Sequence, residues 1–149
     1  MFMTEKIIEI KAFSQEMYLF VNNLTKQLTE GKKSLSEDNF RAIVESPCTR
    51  IFVIHDTDQT PVGMLSVGIY RTPSGKKAWI EDVTIDEQYR GSGYGQKIVE
   101  HAINHIRDSD VDVISLTSNA SRVAANKLYQ KLRFEIYPTN VYRMRLSNC

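Results

Sequence analysis

The sequence has few cysteines, only Cys48 and Cys149 in 149 residues. Cys149 is the last residue, and chain ends are often poorly ordered, so we expect no structural disulfide between the two. Nothing in the sequence around Cys48 supplies the base that a nucleophilic thiol needs, so we interpret it as an ordinary loop or core residue. So few thiols in a chain of this length favour a reducing compartment, and we predict a cytoplasmic protein.

The chain also lacks an excess of charge of either sign. Its 19 Lys and Arg against 18 Asp and Glu leave a formal charge of +1, which provides no strong field to attract nucleic acid. No apolar stretch approaches the length of a membrane span, and residues 1–11 lack the basic and apolar regions of a signal peptide. We therefore expect neither nucleic acid nor a membrane as a partner.

Internal repeats, low-complexity tracts and linkers are absent as well, which predicts a single domain over residues 1–149. Apolar residues at helical spacing from Phe13 to Leu28 predict a helix that ends at Gly31. Ser36 is the expected N-cap of a second helix, which Pro47 stops. The other patterns predict strands at 6–10, 50–55, 62–70, 77–85, 111–117, 134–137 and 142–146, and helices from about 95 to 107 and from 122 to 132.

This order of elements predicts a mixed α/β (α+β) fold. The pattern of the first half predicts antiparallel strands. The strand–helix–strand unit that follows implies a right-handed crossover between parallel strands. We expect one central mixed sheet of six to seven strands flanked by about four helices.

The segment after the strand at 77–85 is rich in glycine and leads into a helix. Alternate glycines let backbone N–H groups turn toward one point, and the helix N-terminus adds further N–H groups and a positive dipole. The spacing matches neither a Walker loop nor the dinucleotide fingerprint, and a tight structural turn remains the alternative. The candidate phosphate-binding residues are Arg90, Gly91, Ser92, Gly93, Tyr94 and Gly95.

The pattern Arg90-x-x-Gly93-x-Gly95 resembles the pyrophosphate-binding motif of the GNAT superfamily of acyl-CoA-dependent N-acyltransferases. Residues 79–85 resemble the central strand of that family, and residues 116–119 and 124–134 resemble its next strand and helix. The order of the other elements fits as well. One departure is Arg133, because the family often has glycine before the phenylalanine that follows this helix.

The resemblance implies an enzyme that transfers an acetyl group from acetyl-CoA to a primary amine, on a small-molecule acceptor that the sequence does not identify. It also implies that the pantetheine arm pairs with backbone groups of Val83 and Ile85, and that Asn119 and Asn126 could contact the cofactor. An acyl group larger than acetyl stays open, and a homodimer is compatible with the fold.

Two residues are the catalytic candidates under this resemblance. Glu81 would take the proton from the amine, directly or through a water, with Asp82 as the alternative base. The two are strand neighbours, so only one should face the acceptor unless a bulge redirects the chain. Tyr129 would protonate the leaving thiolate, and it shares a helix face with Asn126. A solvated carboxylate and a core tyrosine are the structural alternatives.

Other residues carry weaker hypotheses. His101 and His105 are spaced as metal ligands could be, but no third ligand is evident, so we expect no metal. Tyr70, Trp79 and Tyr142 could line an acceptor pocket or belong to the core. Two other functions stay open: a catalytically silent acyl-CoA-binding sensor on the same fold, and an unrelated phosphate- or nucleotide-binding domain.

Overall fold

A computed structural model describes residues 3–147 and divides them into two compact units, one up to Thr117 and one from Ser118 onward. Cys149 lies outside the described residues, and Cys48 is exposed with a free thiol. None of the helices within residues 3–147 has the length and apolar character needed to cross a bilayer. The single domain over residues 1–149 stays a prediction.

The described part of the first unit contains five strands and three α-helices. In chain order these are β1 (Lys6–Glu9), α1 (Gln15–Leu28), α2 (Glu37–Glu45), β2 (Thr49–His55), β3 (Pro61–Thr72), β4 (Gly75–Ile85), α3 (Tyr94–Arg107) and β5 (Val113–Ser115). A single 3₁₀ turn at Glu87–Tyr89 joins β4 to α3. The second unit contains α4 (Val123–Lys131).

The strands form one sheet in the order β1-β2-β3-β4-β5. The first four pair antiparallel, and β5 runs parallel to β4 after the crossover through α3. The mixed α/β class and the parallel unit are thus confirmed. Within residues 3–147 the sheet has five strands, fewer than the six to seven expected.

Helices cover both faces of this sheet. Leu24 of α1 and Phe40 of α2 are fully buried and belong to one core cluster with Val53 of β2. Because successive strand residues point to opposite faces, Phe52 points the other way. It meets His101 of α3 edge-on, with ring centroids 5.1 Å apart, and α3 also packs on β3 and β4.

Capping serines begin the two helices on the first face, and a left-handed turn ends α1. Ser36 Oγ accepts a hydrogen bond of 3.1 Å from the Asn39 N–H, which confirms the predicted N-cap of α2. The left-handed turn after α1 begins at Glu30, with φ 52°, and continues through the predicted Gly31 at φ 75°. The helix therefore ends slightly before its glycine.

The C-terminus of α4 forms a Schellman motif. The Phe134 N–H donates to the Tyr129 carbonyl at 2.9 Å and the Arg133 N–H donates to the Gln130 carbonyl at 3.0 Å. The rings of Tyr129 and Phe134 also pack edge to face, with their centroids 6.1 Å apart. Arg133 has φ 70°, so an arginine occupies the left-handed position that favours glycine. Such a conformation costs a non-glycine residue about 1–2 kcal/mol.

The predicted strands at 134–137 and 142–146 are wrong, because the structure has only irregular chain there. Alternating polar and apolar residues form a strand when one face is buried and a neighbouring strand accepts the hydrogen bonds. Here the apolar members stay in solvent, with Tyr142 88%, Met144 82% and Leu146 92% exposed. The alternation is present in the sequence, but nothing in residues 3–147 buries its apolar side.

Candidate functional site

The glycine loop connects the end of β4 to the start of α3. Gly91 and Gly93 have φ 83° and 84°, so both adopt the left-handed conformation that favours glycine. A Cβ atom at either position would find no heavy atom within 4 Å, so neither glycine is required by packing. Open space therefore lies beside the loop at both positions.

The N-terminus of α3 faces this loop without a side-chain cap among the described residues. The first turn of a helix leaves N–H groups without helical acceptors, and these attract an anion together with the helix dipole. Arg90 donates from Nε to the Ile85 carbonyl at 3.1 Å, which fixes the turn. The rest of its exposed guanidinium carries donors suited to phosphate oxygens.

Helix α1 contacts the loop after β4 through the side chain of Gln27. The Glu87 N–H donates to Gln27 Oε1 at 3.1 Å, and the Gln88 N–H donates to Asp86 Oδ1 at 3.1 Å. Gln27 is a residue that sequence reasoning missed. Its role depends on a contact with a residue 60 positions away, and no local pattern around Gln27 indicates such a contact.

The edge of β4 is paired over only part of its length. The parallel register joins Lys77 to Val113, Ala78 to Ile114 and Trp79 to Ser115, and then stops. Within residues 3–147 no strand pairs with this edge over residues 80–85, the half of β4 that leads into the glycine loop. Val83 and Ile85 lie in this open half, and their contact with a cofactor stays a prediction.

A β-bulge interrupts β4 at the two candidate carboxylates. The register with β3 shifts between Met64 and Ser66, and Asp82 has φ 53°. Glu81 and Asp82 are both exposed, so the strict alternation expected of strand neighbours does not hold here. Thr84, two residues on, is buried and donates its hydroxyl to the Asp82 carbonyl at 3.1 Å.

Partial burial shapes the electrostatics of the bulge. The protein around Asp82 raises the pKa of its carboxyl, although part of the side chain reaches solvent, and the charge of Lys33 opposes this rise. Lys33 belongs to the segment between α1 and α2, so that segment is close enough to influence the bulge. A carboxylate with a raised pKa is closer to the range in which a base works near neutral pH.

In the second unit, Tyr129 is buried, with 6% of its surface exposed. Burial raises the pKa of its hydroxyl, and the charge of Arg122 opposes this rise only partly. The hydroxyl is therefore protonated at neutral pH and is able to donate a proton or a hydrogen bond.

The two asparagines of this unit build the start of α4. Asn126 donates from Nδ2 to the carbonyls of Asn119 and Arg122, both at 2.9 Å, and Asn119 Oδ1 accepts from the Ser121 N–H at 2.9 Å. Their contact with a cofactor stays a prediction. Close by in the sequence, Ser118 has a buried hydroxyl with no hydrogen-bond partner among the described residues.

A shallow depression of about 340 Å³ lies between β1, β2 and α3. None of the predicted site residues lines it, so we assign the chemistry to the loop and the bulge instead. Lys97 and Glu5 form an ion pair within its wall. Its lining residues are Glu5, Ile7, Ile54, Lys97, Glu100, His101 and Asn104.

Solved structures share this architecture over nearly the whole chain. An aminoglycoside acetyltransferase from an uncultured soil metagenomic sample, in complex with sisomicin, has a TM-score of 0.81 at 14% identity, covering 95% of this chain and 96% of that one. Glucosamine-6-phosphate N-acetyltransferase from Arabidopsis thaliana has a TM-score of 0.76 at 24% identity, covering 95% and 98%. A transcriptional regulator from Bacillus halodurans C-125 has a TM-score of 0.77 at 24% identity, covering 95% and 100%. At these identities the likeness shows the fold.

Sequence comparison identifies the family. A search among curated proteins gives no match. The model of the acetyltransferase (GNAT) family matches residues 17–134, a span that includes the bulge, the glycine loop and α4. The chain therefore belongs to the GNAT acetyltransferase family.

Proposed function

We propose that the chain is an acetyl-coenzyme A-dependent N-acetyltransferase that acetylates the primary amine of a small molecule within a ternary complex. The part of the β4 edge at residues 82–85 that no strand within residues 3–147 pairs with, leading into the glycine loop, carries this proposal. An extended arm with amide groups can pair with such an edge as an added strand. The loop and the start of α3 offer N–H groups to a pyrophosphate at its end.

Different residues would bind different parts of acetyl-coenzyme A. Arg90, Gly91, Ser92, Gly93, Tyr94 and Gly95 would hold the pyrophosphate, and the backbone of Val83 and Ile85 would hold the pantetheine arm. We keep Asn119 and Asn126 as proposed cofactor contacts in addition to their place at the start of α4.

The reaction removes two protons from the nitrogen of the protonated amine and supplies one to the leaving thiolate. Acetyl-coenzyme A would supply the acetyl thioester, whose C–S bond breaks as the new C–N bond forms. Glu81 takes a proton from the ammonium group of the acceptor, so that the nitrogen lone pair can attack, and passes this proton to solvent. After the attack the nitrogen loses a second proton, which Glu81 also passes to solvent. Tyr129 gives its hydroxyl proton to the leaving thiolate and recovers one from solvent. We assign the base to Glu81 rather than Asp82.

Calorimetry with acetyl-coenzyme A and a thiol-release assay with a panel of primary amines test the proposal. We expect binding, followed by thiol release that depends on the amine added. Because Cys48 is exposed and reacts with thiol reagents, each assay needs a blank without amine. Binding without release from any amine would favour the silent sensor, and absence of binding would contradict the proposal.

Replacing Tyr129 with phenylalanine is expected to lower kcat by about tenfold to 100-fold and to leave KM for acetyl-coenzyme A unchanged. General acids contribute about 100-fold or more, but a thiolate is a good leaving group even without protonation, so we expect the lower end. The phenyl ring keeps the contact with Phe134, and melting curves should match. Tyr137→Phe, the same change at an exposed tyrosine, is the control. Equal kcat in both variants would remove Tyr129 from the mechanism.

A further inference from the structure

One face of the paired strands β3 and β4 carries a row of residues. Of these residues, the proposed mechanism uses only Glu81. The register places Glu81 opposite Ser66 and Trp79 opposite Gly68, and residues two apart on a strand share a face. Tyr70 lies on this same face, where its hydroxyl accepts a hydrogen bond of 2.9 Å from Trp79 Nε1. The aromatic pair and the candidate base thus lie side by side on one surface of the sheet.

Gly68 leaves an opening in the middle of this row. A Cβ atom added at Gly68 would have no heavy atom within 4 Å. The backbone φ of Gly68 lies outside the left-handed range. By contrast, a Cβ at Gly63 of the same strand would come within 2.4 Å of Ile85 Cδ1, so packing explains that glycine. Glycine weakens a strand by about 0.5–1 kcal/mol relative to alanine, and without a packing reason it often marks the close approach of a ligand.

The two ends of the opening differ in chemistry. On one side Tyr70 is 43% exposed, and Val113 of β5, which shares the face through its pairing with Lys77, is 49% exposed. On the other side are the exposed carboxyl groups of Glu81 and Asp82. Trp79 and Glu81, two apart on β4, are separated by about 7 Å, which is within the length of one small molecule. Tyr70 and Val113, both level with Lys77, lie about 13 Å from Glu81 along the strand.

We propose that this surface, formed by Ser66, Gly68, Tyr70, Trp79 and Glu81 and here named the Gly68 surface, binds an arylalkylamine acceptor. The aromatic ring of the acceptor lies over Gly68 against Trp79, and its short alkyl chain brings the primary amine to Glu81. Charge complementarity supports this occupant, because the carboxylates attract an ammonium group at the Glu81 end, while Trp79 offers an aromatic contact to the ring of the acceptor. The substrate class rests on the proposed acetyl transfer.

Trp79 is the only tryptophan of the chain, so intrinsic tryptophan fluorescence reports on the Gly68 surface directly. We would titrate the full chain with phenylethylamine, in the absence and in the presence of coenzyme A, and compare ethylamine and glucosamine. We expect a saturable change with phenylethylamine at concentrations at least about tenfold below those the other amines need, since filling an apolar site is worth about 10–200-fold.

Gly68→Val fills the opening with a β-branched residue that strands favour, in a place without neighbouring atoms. It should weaken phenylethylamine binding at least about tenfold and leave acetyl-coenzyme A binding unchanged. Gly68→Ala is the milder companion, and it carries the test if the valine variant fails to melt cooperatively.

Two results would overturn this inference: no saturable fluorescence change with phenylethylamine, or equal affinity in the wild type and the Gly68 variant. Failure of the proposed function would look different, because acetyl-coenzyme A would then not bind, or no amine would release thiol, whatever the fluorescence shows.

Discussion

Replacing Gly93 with glutamate is expected to weaken acetyl-coenzyme A binding about 1,000-fold, or about 4 kcal/mol, while the chain stays folded. Gly93 has φ 84° and no heavy atom near the position of its missing Cβ, so the new side chain enters the space assigned to the pyrophosphate. Its carboxylate would repel the phosphates and take the N–H groups that should bind them. The same carboxylate favours the helix N-terminus, which limits the loss of stability.

Gly31→Glu is the matched control for this variant. Gly31 also has a left-handed backbone, with φ 75°, and no heavy atom within 4 Å of a Cβ. Both variants should lose about 1–2 kcal/mol of stability from backbone strain. Gly31→Glu should lose slightly more, because its carboxylate lies just after the C-terminus of α1, but only Gly93→Glu should lose cofactor affinity. Calorimetry and thermal melting of the three proteins measure both quantities. Unchanged affinity in Gly93→Glu would leave the glycines as parts of a structural turn.

Replacing Glu81 with glutamine is expected to lower kcat/KM at pH 7 by about 100-fold. A primary amine with a pKa near 10.4 is neutral in only about one molecule in 2,500 at pH 7, so the reaction depends on a base. The activity of the variant should recover as the pH rises toward the pKa of the amine, because the neutral amine then forms without help. A pH profile of kcat/KM for the wild type and the variant measures this.

Asp82→Asn is the control, because it removes the neighbouring exposed carboxylate and the same charge. We expect a decrease of less than about tenfold and an unchanged acid limb of the pH profile. The reverse pattern would assign the base to Asp82. Because partial desolvation by the surrounding protein raises the pKa of the Asp82 carboxyl, activity would then fall, as the pH decreases, at a higher pH than an ordinary aspartate would give.

Local sequence patterns predicted the parts of the fold that depend on local interactions. The N-cap at Ser36 and the parallel unit around α3 follow from short-range propensities and from chain handedness. Gly91 and Gly93 were also identifiable, because a left-handed backbone at the end of a strand strongly favours glycine. Family resemblance, rather than pattern, singled out Glu81 and Tyr129 as catalytic candidates.

The rest depends on contacts between distant residues. The bulge at Asp82 exists because β3 and β4 differ by one residue in their pairing, which neither strand shows alone. The Gln27 contact with the loop and the open space beside Gly68 depend on residues far away in the sequence. The strand predicted from the alternation at residues 142–146 is wrong for the same reason. Such an alternation forms a strand only if another part of the protein covers its apolar side chains.

The left-handed backbone of Arg133 affects how well this protein can tolerate destabilising substitutions. Its left-handed backbone keeps the chain about 1–2 kcal/mol less stable than glycine would, within a total stability that is typically about 5–15 kcal/mol. New specificities usually arise through substitutions that weaken a fold. A single change to glycine at the end of α4 could compensate for such a substitution, so the chain retains a margin of evolvability at a position that the proposed chemistry does not use.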